Sequence, residues 1–162
     1  LSIAVATKGG NRFQKHIVNQ TVDWCIEKLL PRIKRIHINV HLCNLKDADG
    51  YCENAAIEDG DFVGASPRLF NVEISKSLSL TEMISTIIHE MVHVRQYVNR
   101  ELADNGRFTK WKSKTVPLGM DYHDQPWEKE AYRLQDKMLS ECLTEAIFLT
   151  DVDKNGFAHN RV

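Results

Sequence analysis

Apolar residues recur along the chain with two different periods, and the changes of period divide it into elements. Over residues 12–30, RFQKHIVNQTVDWCIEKLL, the positions Phe13, Ile17, Val22, Ile26, Leu29 and Leu30 are spaced as one face of a helix, and Pro31 stops it. In RIKRIHINVHL, Ile36, Ile38, Val40 and Leu42 alternate with polar residues, which predicts a half-buried strand from Ile36 onward. DADGYC reads as a turn, YCENAAIED (51–59) as a second strand, DGDFVGASP as a stretch dense in turn residues, and RLFNVEIS (68–75) as a third strand. A second helix has a legible start: Ser79 and Glu82 form S-x-x-E, a capping box, with Leu78 and Met83 placed for the accompanying hydrophobic staple. Its apolar surface, Ile84, Ile87, Ile88, Met91, Val92 and Val98, runs to about Asn99. A long polar connection follows. Pro126, a residue favoured at the first helical position, opens a last helix that carries Trp127, Ala131, Leu134, Met138 and Cys142 on one stripe to about Leu149.

These elements predict a single α+β domain over residues 1–150, a small mostly antiparallel or mixed sheet packed on two long helices, followed by a polar tail at 151–162. The length of 162 residues suits one hydrophobic core. A formal charge of −1 supplies no global field toward nucleic acid or anionic lipid, so any such contact needs a local patch. No apolar run approaches the roughly 18 residues of a membrane span, and LSIAVATKGG is too short for an intact secretory signal. Cys25, Cys43, Cys52 and Cys142 contain no C-x-x-C pair; free thiols and a cytoplasmic, intracellular setting are the expectation.

One feature of the second helix conflicts with its burial. His89, Glu90 and His93 place two imidazoles and a carboxylate inside an apolar run, where unpaired polar groups are costly. The arrangement H-E-x-x-H resolves the conflict. Four helical residues advance about 400°, so both imidazoles project within about 40° of each other and one turn apart, close enough to share a metal ion. Glu90, about 100° round the helix, lies beside that ion and is free to take a proton from water. Two histidines need a third protein ligand. A metzincin continuation is excluded: His93 is followed by Val94 and Arg95, and then Gln96 and Asn99 stand where H-x-x-G-x-x-H would require Gly and His. The remaining donors lie in YHDQPWEKEAY: His123, Asp124, Glu128 and Glu130. Glu128 and Glu130 are about 200° apart on a helix, so at most one faces the metal. Glu128 flanks the packing stripe, with Ala131 allowing close approach, and is favoured; His123 comes next, and Glu130 reads as a solvated charge.

HEMVH paired with WEKEAY resembles the zincin-like metallopeptidases of the gluzincin clan, and in particular minimal gluzincin or SprT-like domains such as those of bacterial viruses. The likeness spans about residues 33–149. It implies a glutamate ligand on the next long helix with a small residue three positions on, which Glu128 and Ala131 match. Tyr132 stands where the clan often has Asp or Asn. The implied activity is hydrolysis of peptide bonds in a peptide or protein substrate, with Zn2+ held by His89, His93 and Glu128 and with Glu90 as general base. RLFNVEIS would be the sheet edge to which substrate adds, and Tyr122 or His123 would stabilise the oxyanion. Two other classes stand beside it: a non-catalytic, zinc-stabilised binding or virion-associated protein, and a nucleic-acid-associated protease. The last rests only on Arg107, Lys110, Lys112 and Lys114 interleaved with Phe108 and Trp111, which read more simply as a solvated loop or a lid.

Overall fold

The computed structural model describes residues 2–55, 67–104 and 107–145. Its framework is a four-stranded sheet of β1 (Ile3–Lys8), β2 (Ile36–Cys43), β3 (Gly50–Asn54) and β4 (Leu69–Ser75), in the order β1-β2-β4-β3. β1, β2 and β4 run parallel and only β3 is antiparallel, so the sheet is mixed rather than mostly antiparallel. The β2 and β4 positions predicted to be apolar form one face: Ile36, Ile38, Val40, Leu42, Phe70, Val72 and Ile74 are each at most 2% exposed. The other face carries a polar ladder, in which Asn39 donates to Asn71 (3.2 Å) and Asn71 to Glu53 (3.3 Å).

Helix α1 (Arg12–Leu29) links β1 to β2 as a parallel crossover. Gly9 and Gly10 make the turn into it with φ of +79° and +71°, and a Cβ on Gly9 would lie 2.1 Å from the Leu42 carbonyl oxygen. Only glycine fits there. Asn11 and Gln14 then close a reciprocal cap. β1 itself was not anticipated; its alternation is written in small residues, Ala4 and Ala6, and its partner β2 lies a whole helix away in sequence.

Helix α2 (Leu80–Val98) begins with the expected capping box: Glu82 N–H donates to Ser79 Oγ (3.3 Å) and Ser79 N–H to Glu82 Oε2 (2.9 Å). It packs on the sheet, on α1 and on α3 (Pro126–Glu145), which explains its burial on nearly every side. Ala131, completely buried, lets α3 approach α2 closely. Glu145 fixes the far end of α3 on α1, accepting from Trp24 Nε1 (2.9 Å) and from Lys28. The last helix was expected to reach Leu149; residues 146–149 and the tail at 151–162 lie outside the described residues, as does most of the expected turn at 59–67.

The connection between α2 and α3 holds more structure than its composition announced. β5 (Leu102–Asp104), β6 (Thr109–Trp111) and β7 (Lys114–Thr115) form a three-stranded antiparallel sheet at the C-terminal end of α2. Lys112 and Ser113 turn β6 into β7 with φ of +49° and +70°, a hairpin turn made without the usual Asn or Gly. No helix among the described residues is long and apolar enough to cross a membrane, and all four cysteines are free thiols.

Candidate metal centre and its cleft

The helical spacing of His89 and His93 places their rings 4.9 Å apart, nearly perpendicular, with the two Nε2 atoms 3.2 Å from each other. Glu128, in the first turn of α3, enters from the opposite side: its Oε2 lies 3.0 Å from His89 Nε2 and its Oε1 3.0 Å from His93 Nε2. All three residues are more than nine-tenths buried. Ligands held tetrahedrally at roughly 2.0–2.1 Å from a zinc-sized ion would stand about 3.3 Å apart, so the observed separations fit a shared cation with little movement. Among the described residues this is the one His/Cys/Asp/Glu group whose donor atoms converge in that way.

Hydrogen bonds on the far side of each ring make the case chemical as well as geometric. His89 Nδ1 lies 2.8 Å from Gln135 Oε1, and His93 Nδ1 lies 2.8 Å from Gln96 Oε1. An amide oxygen only accepts, so each Nδ1 carries a hydrogen; a neutral ring would then turn its Nε2 lone pair inward, and a charged ring an N–H. With neutral rings, two lone pairs and a carboxylate would face one point. Such a convergence repels itself unless protons or a metal cation occupy it. Gln135 is itself held, donating to Ser85 Oγ at 2.7 Å.

The electrostatics agree. Burial pushes the Glu128 carboxyl up, but hydrogen bonds from His89 and His93, the charge of His93 and the Tyr122 hydroxyl outweigh it and hold the group down at about 2. For His93, burial works against the charged ring, yet the Glu128 carboxylate overrides it and the net shift is upward. Glu90 goes the other way. Burial raises its pKa, opposed by His93 and His89 and reinforced by Glu128. It is 5% exposed, borders the cleft, and is not one of the three convergent donors.

The centre forms the floor of a cleft of about 650 Å³. One wall is the sheet edge: Gly50, Tyr51 and Cys52 of β3, preceded by Asp47 and Asp49. The expectation that β4 (RLFNVEIS) is the edge is corrected here, since β4 is interior, paired on both sides by β2 and β3. The edge strand beside the metal centre is β3, which short polar-apolar patterning could not place in the strand order. Gly50 lets that edge come close, because a Cβ there would lie 2.7 Å from Thr86 Cγ2 and 3.2 Å from Glu90 Oε1. Tyr122 and Tyr132 also line the cleft, their hydroxyls 3.5 Å apart, and Tyr132 tilts against the His89 ring at 4.6 Å. Tyr97, Leu102 and Trp127 line it as well.

Of the other predicted site residues, Tyr122 is brought to the centre and His123 is not. Burial and hydrogen bonds with Tyr132 and Glu128 raise the Tyr122 pKa, so its hydroxyl remains protonated as a donor. His123 is exposed in a 3-10 turn (Tyr122–Asp124), edge-on to Tyr122 and tilted toward Tyr132, and is not among the residues that line the cleft. Glu130 is not a free solvated charge: it accepts from Gln96 Nε2 at 3.2 Å. The basic-aromatic segment is the β6–β7 hairpin, where Trp111 packs toward Trp127 (6.3 Å) and Lys112 lies over Trp111 (5.2 Å). Compared with known proteins, the chain matches no family model, no curated protein and no solved structure.

Proposed function

We propose that the protein is a zinc-dependent peptidase. The observation that carries this reading is the division of labour on α2: His89 and His93 converge with Glu128, while Glu90, one residue on, stays out of the donor set, is buried and faces an open cleft. Two neutral imidazoles and one carboxylate are the donor set of a catalytic zinc that keeps a position free for water or substrate. Zinc bound there would act as a Lewis acid on a carbonyl and on water.

The chain's own residues supply the rest. Glu90 Oε1 or Oε2 takes the proton from the attacking water and returns it to the leaving amine; its raised pKa makes that return easier than it would be for an exposed carboxylate. Tyr122 offers an O–H to the oxygen that becomes negative. An extended peptide would add along β3, the outer strand beside the cleft among the described residues. A metal that merely tied α2 to α3 would leave Glu90 and the cleft without work.

The test is zinc content and peptide cleavage, measured together on wild type and Glu90→Gln. Glu90→Gln should keep its zinc and lose about 100-fold or more in kcat. Equal cleavage by both proteins, or a zinc-loaded wild type that cleaves no peptide in a broad library, would overturn the proposal.

A further inference from the structure

Gln96 is completely buried, and a buried amide must place both of its N–H groups and its oxygen. Its Nε2 donates to the Trp127 carbonyl oxygen (3.0 Å) and to Glu130 Oε1 (3.2 Å). A carbonyl and a carboxylate accept and cannot donate, so the amide cannot be turned over without setting two acceptors against its oxygen. Gln96 Oε1 is thereby fixed toward His93 Nδ1, 2.8 Å away.

We infer that Gln96, anchored by Glu130 and by the Trp127 carbonyl, is a positioning residue that sets the tautomer of His93: it keeps the hydrogen on Nδ1 and the Nε2 lone pair toward the metal. The inference rests on the metal-centre reading and holds whether or not the bound metal cleaves peptides. The chain crosses between the two helices of the site, from His93 on α2 through Gln96 to Glu130 on α3. Glu130, two residues from the ligand Glu128, thus acts on the other side of the same centre, and its negative charge polarises the amide toward His93. His89 has no equivalent lock. Its partner Gln135 donates to Ser85 Oγ, a hydroxyl that can also donate, so this anchor by itself does not dictate which way the amide faces.

Two measurements test this. The first uses metal-free wild type, with long-range 1H–15N correlation of the imidazoles. His93 should carry a hydrogen on Nδ1, with or without a second on Nε2 shared with Glu128 Oε1 at 3.0 Å; a ring protonated on Nε2 alone, or an even mixture of the two neutral tautomers, overturns the inference. The second is zinc affinity by competition with a chromophoric chelator, with folding checked by circular dichroism. Gln96→Leu should bind zinc about 10- to 100-fold more weakly, the usual cost of losing the partner of a metal-bound histidine. Glu130→Gln, which still offers an oxygen to Gln96, should stay near wild type. Glu130→Lys presents a donor where an acceptor is required, and should weaken binding more than Glu130→Ala. Gln96→Leu with wild-type affinity, or Glu130→Gln as weak as Glu130→Lys, overturns the assignment. A wild type that binds no zinc, yet shows His93 on the Nδ1 tautomer, would defeat the metal reading while leaving the tautomer lock intact.

Discussion

At the scale of single residues, the site is organised by which polar atoms have a partner. His89, His93 and Glu128 hold one another and Gln96 and Gln135 hold the rings, so the buried imidazoles that distinguish α2 from an ordinary core helix are accounted for. Removing Glu128 strips the convergent donor set of its carboxylate: Glu128→Ala should lower zinc occupancy far more than Glu130→Ala, and the reverse order in a metal analysis would displace Glu128 as the candidate ligand. Gly50 is a second sensitive position. Gly50→Ala puts a methyl against Thr86 Cγ2, the Glu73 carbonyl oxygen (3.0 Å) and Glu90 Oε1, so it should push the edge strand off α2 and cut peptide cleavage at least tenfold while zinc is retained. Cleavage at the wild-type rate would show that β3 does not set the cleft. The ligands were readable in the sequence because helical phase is enough to bring His89 to His93 and to turn Glu128 and Glu130 apart. The glutamines were readable in principle, Gln96 one turn beyond His93 and Gln135 two turns beyond Glu128. A glutamine carries no spacing signature of its own, however, and only the facing helix gives it meaning.

At the scale of elements, local codes survived and non-local ones did not. The capping box of α2 depends on four consecutive residues and formed as the sequence implied. Ser79→Ala should cost about 1 kcal/mol of stability in a denaturant titration, through loss of a helix cap. The same cap is pH-sensitive with a defined sign. The Ser79 amide holds the Glu82 carboxyl below its ordinary range, so its stabilisation is present above the unfolded carboxylate pKa and is lost as pH falls through the lowered value. Strand order, by contrast, depends on partners 16 to 33 residues apart, which is why β4 was expected at the edge it does not occupy. The β6–β7 hairpin was missed for a local reason: Lys112 and Ser113 adopt positive φ without being Asn or Gly. That conformation costs non-glycine residues about 1–2 kcal/mol each. The double substitution Lys112→Asn, Ser113→Gly should therefore raise the melting temperature; a drop would mean that these side chains make contacts worth more than the turn costs.

At the scale of the whole molecule, the two helices that carry the centre also pack in the core, so metal binding and folding stability would be one equilibrium. If the metal is zinc, a concentration about 1,000 times its dissociation constant would add roughly 4 kcal/mol, or on the order of 10 °C in melting temperature for a domain of this size. The pH dependence separates this from a purely protonic centre. In the metal-free protein, burial opposes the charged His93 ring but Glu128 wins, so the folded pKa lies above the unfolded one. The stabilisation from that ion pair is complete below the unfolded histidine pKa and fades as pH rises through the higher folded value. Glu128 has the opposite sign: held at about 2, it stabilises above the unfolded carboxylate pKa and is lost only as pH falls toward that value. The metal-free protein should thus draw most from this centre between about pH 5 and 6, and lose some of it as pH rises through the raised His93 value. Zinc would compete with protons for the same nitrogens, so its stabilising increment should grow over that rise. Melting curves with zinc and with a chelator should therefore diverge as pH rises, and converge to one curve in Glu128→Ala. Parallel curves across that rise would mean that protons and zinc do not share these atoms, and the convergence of His89, His93 and Glu128 would then need another explanation.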